Sequence, residues 1–103
     1  MIMERCTQKV IGTHQEAYAI EKKFDMLEVG MENVPGKRRN WAGYGGLPAN
    51  TMVWERDWPS LAALEVYNQT ISKDPKWRDA FDESVGVYDD MVFEILLPID
   101  MRD

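Results

Sequence analysis

The sequence predicts an α+β fold with four strands and two helical layers in the order β-α-β-β-α-β. Three observations point there. Ile2, Glu4, Cys6 and Gln8 alternate with Met1, Met3, Arg5 and Thr7, the period of a strand. Ala17, Ile20, Phe24, Leu27, Met31 and Val34 recur at steps of three and four, one apolar stripe of a helix. The stretch from Thr51 to Phe81 runs from an alternating strand into a proline-opened helix and then a second one.

Taken in order, Met1 to Val10 is the first strand, with polar residues on both faces. Gly12 breaks it. Thr13 and Glu16 stand at capping-box spacing, so the helix begins there. Its stripe extends over about five turns, to a stop at Pro35-Gly36. Gly30, inside the pattern, costs up to about 1 kcal/mol relative to Ala and marks a close approach of a neighbouring backbone. Lys37 to Tyr44 is the second strand, with Trp41 and Tyr44 as its large residues. The run Gly45-Gly46-Leu47-Pro48-Ala49-Asn50 is turn chemistry.

Thr51 to Trp58 is the third strand. Met52, Trp54, Arg56 and Trp58 share one face, and Thr51, Val53, Glu55 and Asp57 the other. Pro59-Ser60 opens a helix whose buried stripe is Leu61, Leu64, Tyr67 and Ile71. Asp74-Pro75 restarts it, burying Trp77, Phe81 and Val85, and Gly86 ends it. Tyr88 to Leu97 is the last strand, with Met91, Phe93 and Ile95 opposed to Val92, Glu94 and Leu96. This order gives a ferredoxin-like sandwich, with helices on one face of a four-stranded antiparallel sheet. If Val53, Val92 and Leu96 point to the other face, a monomer leaves apolar sheet in water. A two-fold dimer packed sheet against sheet removes that exposure.

Composition bounds the function. The 103 residues make one domain, 1–103, and 45% hydrophobic with 29% charged residues is an ordinary globular balance. A net charge of −6 argues against nucleic acid and anionic membranes as partners. The basic run Lys37-Arg38-Arg39 reads as a solvated loop. With Cys6 as the single cysteine, no internal disulfide forms, and Cys6 reads as a buried structural thiol. No N-terminal apolar run is long enough for a signal peptide or membrane span. The expected location is cytoplasmic. Four tryptophans are hard to bury in one small core, so some line a pocket or a subunit contact.

From Thr51 onward the runs T-M-V-W-E, D-W-P-S-L-A-A-L-E and D-P-K-W resemble the NIPSNAP-like proteins of the dimeric α+β-barrel superfamily. Their second half similarly goes from a Trp-bearing strand into a Ser-Leu-Ala helix and an Asp-Pro-x-Trp restart. The terminal F-E-I-L-L is similar to that group's last strand. The resemblance covers residues 51–98 by motif, and residues 1–50 by element order and the long first helix. It implies a homodimer whose two sheets curl into a shared barrel, with a cavity in each subunit. The wider superfamily includes haem-degrading and cofactor-free monooxygenases, isomerases and stress-responsive binding proteins. The haem-degrading members take an axial histidine from the helical region after the third strand. Residues 59–87 contain none, and His14 is the single histidine. Haem is therefore not expected, nor any other cofactor.

One His and one Cys cannot supply a nitrogen- or sulfur-rich metal site. Asp89-Asp90 and the group Asp79, Asp82 and Glu83 read as solvated faces, so no metal is expected. Gly43-Tyr44-Gly45-Gly46 lacks the spacing of a phosphate-binding loop. The catalytic candidates are Glu55 and Glu94, at corresponding places in the third and last strands, with Arg5 and Arg56 as possible partners. A carboxylate in an apolar cavity has its pKa raised and can serve as general acid or base; the plainer reading is a structural ion pair or an exposed strand position. Trp41, Tyr44 and Trp54, with Arg5, are the ligand-binding candidates, able to wall a pocket for a flat apolar molecule. For the aromatics, core or dimer packing is the plainer alternative. Trp58 and Trp77 belong to the core. Two functions follow: a dimeric barrel binding a small apolar or aromatic molecule, or a cofactor-independent monooxygenase or isomerase acting on an aromatic or polyketide-like substrate.

Overall fold

Thr13 starts the first helix through both halves of the capping box. Its hydroxyl accepts from the Glu16 N–H at 3.0 Å, and the Glu16 carboxylate accepts from the Thr13 N–H at 2.9 Å. The computed structural model describes residues 1–42 and 46–101. Its elements are β1 (Ile2–Val10), α1 (His14–Glu28), β2 (Arg38–Trp41), β3 (Thr51–Trp58), α2 (Leu61–Ser72), α3 (Pro75–Ser84) and β4 (Tyr88–Leu96). The strands form one antiparallel sheet in the order β2-β3-β1-β4, the ferredoxin-like arrangement.

The inner face, under the helices, pairs Ile2 with Trp58, Glu4 with Arg56, Cys6 with Trp54 and Gln8 with Met52. All eight are buried. β4 joins the other edge of β1 with one extra residue. Lys9 opposes Asp89, but Thr7 opposes Val92, so two steps on β1 match three on β4. Asp90, at φ +50°, lies in this β-bulge. Beyond it, Val92, Glu94 and Leu96 share the outer face with Thr7, Arg5 and Met3, while Phe93 and Ile95 oppose Cys6 and Glu4 on the inner face.

Aromatic rings join the helices to the sheet. Trp58 packs on Tyr67 at 5.1 Å, Tyr67 meets Trp77 edge-on at 5.9 Å, and Trp77 stacks on Phe24 at 5.8 Å. Trp58 and Trp77 are core residues. The Ser60 hydroxyl caps α2 by accepting from the Ala63 N–H, and Asp74 caps α3 with Pro75 at its first position.

Several elements depart from the periodicity. α1 stops at Glu28, with Val29 as its cap, well before Pro35-Gly36. Gly30 has φ +87° and no atom near the place a side chain would occupy. It supplies a left-handed backbone after the helix rather than a close approach. Met31 and Val34 still pack on the core, from the following segment. In α2 and α3 the buried residues are Leu64, Tyr67, Trp77, Ala80 and Ser84, whereas Leu61, Phe81 and Val85 are exposed. Tyr44, expected in the second strand, lies outside the described residues.

The basic run is not a solvated loop. Strand alternation sends Arg38 to the outer face, where its guanidinium donates to Asp57 at 3.1 and 3.4 Å. Arg39 turns under α1, donating to Glu21 at 2.7 Å and in two-pronged fashion to Asp25 at 3.0 and 2.9 Å.

The outer face is not uniformly apolar. One row across it reads Arg38, Glu55, Arg5, Glu94 from β2 to β4, and Arg5 donates to Glu55 at 2.9 Å. The next row reads Asn40, Val53, Thr7, Val92. Exposed apolar surface concentrates instead along the edge strand β4, on Met91, Val92, Phe93 and Ile95, and continues through Leu97, Ile99 and Met101. Among the described residues no helix is long and apolar enough to cross a membrane.

Candidate functional site

Between the inner face of the sheet and α2 and α3 lies a cavity of about 460 Å³. Its floor is Glu4, Cys6 and Gln8 of β1 with Trp54 and Arg56 of β3. Leu61, Leu64 and Ile71 of α2 and Trp77 and Phe81 of α3 form its roof, and Met91, Phe93 and Ile95 of β4 its far wall. Phe93 and Ile95 are 55% and 42% exposed, so the cavity opens to solvent along β4.

Arg56 anchors the polar part of the floor. Its side chain is 2% exposed, ringed by Trp54, Trp58 and Tyr67, whose centroids lie 5.2, 5.1 and 4.7 Å from the guanidinium carbon. Nε donates to Glu4 at 3.0 Å; one Nη donates to Glu28 at 2.8 Å and to the Pro35 carbonyl at 3.4 Å. Trp58 Nε1 donates to the same Glu4 oxygen at 3.0 Å, and the Tyr67 hydroxyl donates to Glu28 at 2.5 Å. Burial works against the Arg56 charge, but Tyr67 and Glu28 beside it outweigh burial and raise its pKa. Burial, joined by Glu28, raises that of Tyr67 against the pull of Arg56. Every described buried side-chain polar atom has a partner.

Lys37 closes one end of the cavity. Its Nζ stands 4.5 Å from the centroid of the Trp54 ring and 5.3 Å from that of Phe24. Burial first, and then the nearby Arg56 charge, push its pKa below the usual lysine value. Cys6 is a buried thiol, as its place in the strand suggests; burial foremost pushes it up to about 12, which leaves it protonated and unreactive near neutrality.

Of the residues singled out in the sequence, Trp54 lines this cavity. Arg5, Glu55 and Glu94 lie on the opposite side of the sheet, in a shallower depression rimmed by Trp41 and Val53. Arg56 pairs with Glu4 and Glu28 rather than with Glu55 or Glu94. Trp41 sits over the start of α1, where His14 stacks on it at 4.4 Å and its indole N–H donates to Tyr18 at 3.0 Å. The carboxylate at the cavity floor is Glu4. Its place opposite Arg56 follows from strand register, whereas the roles of Lys37 and Glu28 carry no local signal. The nearest hint was a first strand with polar residues on both faces. Among the described residues no group of three His, Cys, Asp or Glu could hold a metal ion.

No family model matches the chain, and no curated protein matches it in sequence. Solved structures do match. A NIPSNAP family protein with unknown function from Agrobacterium tumefaciens superposes with a TM-score of 0.74 at 16% identity, covering 99% of this chain and 91% of that one. A NIPSNAP-like domain protein from Burkholderia xenovorans gives 0.68 at 15% identity, covering 99% and 88%. A dimeric ferredoxin-like protein of unknown function from Thermobifida fusca gives 0.65 at 10% identity, covering 92% and 88%. The chain shares its fold with these proteins along nearly its whole length.

Proposed function

We propose that this chain, sharing the NIPSNAP fold, forms a homodimer and holds a small apolar or aromatic molecule in the cavity of each protomer; no reaction is assigned to it. The observation that carries the reading is the cavity, whose volume of about 460 Å³ falls within the roughly 300–1,000 Å³ of small-molecule sites, with mostly apolar walls and a few convergent polar groups. Two features support the dimer. The edge strand β4 exposes large apolar side chains on both faces, which a lone edge in water rarely does. A neighbour of the same fold is described as dimeric.

The monooxygenase or isomerase alternative needs a carboxylate available to move a proton inside the cavity. Of the two described carboxylates that line the cavity, Glu4 is engaged by two N–H donors and Glu65 is exposed at the rim, and Glu55 and Glu94 stand across the sheet. Binding without an assigned reaction is therefore the reading adopted. Thermal unfolding against a panel of aromatic and aliphatic compounds tests it: a binder raises the melting temperature by linkage, and no shift across the panel sinks the reading. Solution mass tests the dimer, expected at twice the 12.0 kDa of one chain.

A further inference from the structure

The charges in and beneath the cavity are of two kinds. Glu4, Glu28 and Arg56 satisfy one another, with Trp58 and Tyr67 completing the set. Lys37 stands apart. It lines the same cavity, its amine lies over the face of Trp54, and among the described residues it forms no ion pair. Glu4 and Glu28 point their hydrogen-bonding oxygens at Arg56, Trp58 and Tyr67, and Glu65 of α2 is exposed at the rim. The half-buried ammonium, held against aromatic rings at the end of an apolar chamber, is stabilised by the rings, but no described carboxylate hydrogen-bonds it, Glu21 and Glu28 acting on it only through their charge. The depressed lysine pKa is consistent with that lack.

We infer that the molecule this cavity takes is an apolar or aromatic carboxylic acid, its carboxylate paired with the Lys37 amine beside Trp54 and its body lying along Leu61, Phe81 and Phe93. The inference rests on the binding reading above and adds the chemical class of the ligand. The pair would be a charge-assisted hydrogen bond in a partly desolvated site, where such bonds are at their strongest. Arg56 contributes positive potential without being displaced from Glu4 and Glu28. A neutral ligand of the same shape gains the wall contacts but not the pair.

Matched probes separate these cases by calorimetry at neutral pH: naphthalene-2-carboxylate against naphthalene-2-carboxamide, and octanoate against octanamide. The acid of a pair is expected to bind about tenfold or more tightly than its amide. Lys37→Met, checked for folding by its melting transition, levels the two, and Lys37→Arg keeps the preference. Equal binding of acid and amide to the wild-type protein overturns the inference, as does a preference that survives in Lys37→Met. In both cases the cavity-binding reading stands. If no acid, amide or neutral aromatic binds, that reading fails and this one with it.

Discussion

Glu4 and Arg56 face each other across the β1–β3 ladder, their side chains joined at 3.0 Å beneath the helices. The same guanidinium reaches Glu28 at the end of α1, and through it the Tyr67 hydroxyl of α2. One arginine thus ties two strands and two helices together below the cavity.

Removing that arginine leaves two carboxylates without their cation. Arg56→Met is expected to destabilise the fold by about 3–5 kcal/mol, the range for breaking one side of a buried ion pair. Arg56→Lys recovers little, because one ammonium cannot reproduce the separate Nε and Nη contacts. Urea unfolding midpoints read both; a loss under 1 kcal/mol for the Met variant would mean the network is solvated in solution.

Gly30 and Gly36 make a paired test of backbone conformation. Both have open space where a Cβ would stand, but only Gly30 has a positive φ, +87°. Gly30→Ala should lose about 1 kcal/mol, while Gly36→Ala should be neutral or gain up to about 1 kcal/mol through the unfolded chain. Equal effects in thermal unfolding would contradict this assignment.

Alkaline pH should weaken the fold. The Cys6 thiol ordinarily titrates at 9.0 and is held up to about 12 in the folded protein. Between those values the unfolded chain has given up a proton that the native chain retains, so stability falls as pH rises. The loss from Cys6 alone is about 1 kcal/mol at pH 10. Tyr67 and Tyr88, whose pKa values are also raised by burial, add to the decline above their ordinary value of 10.0. Lys37 acts in the opposite sense, since its pKa is lowered. Cys6→Ala should flatten the decline between pH 8 and pH 10 in urea titrations, and an unchanged slope would count against a protonated buried thiol.

The proposed dimer makes its own demand on β4. Val92, 52% exposed on the outer face, stands on the edge strand in the stretch proposed to meet a second copy. Val92→Glu should shift the species from twice the chain mass to 12.0 kDa in light scattering, with the fold retained. If the wild-type protein already runs at 12.0 kDa, the dimer is withdrawn.

The order of elements was legible because its signals are local: alternation in β1 and β3, the Thr13–Glu16 box, and Pro75 after Asp74. The site was less so. Arg56 meets Glu4 from 52 residues away and Glu28 from 28, and a periodicity argument says which residues share a face without saying which partner each will find. Gly30 was misplaced for a related reason, since an apolar stripe can continue past the end of a helix when the following segment packs on the same core, as Met31 and Val34 do. Lys37, Arg38 and Arg39 read as one solvated loop, but strand geometry divides the two arginines between opposite faces, and Lys37 turns to the cavity.

The bulge that absorbs the extra residue of β4 decides which side chains furnish the chamber. With it, Phe93 and Ile95 look inward and Glu94 outward. Were the bulge ironed flat, with the Lys9–Asp89 register running on unbroken, the parity would invert: Val92 and Glu94 would turn toward the helices, and the greasy wall would acquire a carboxylate. A change that swaps no amino acid in the lining itself would rewrite what the chamber accepts.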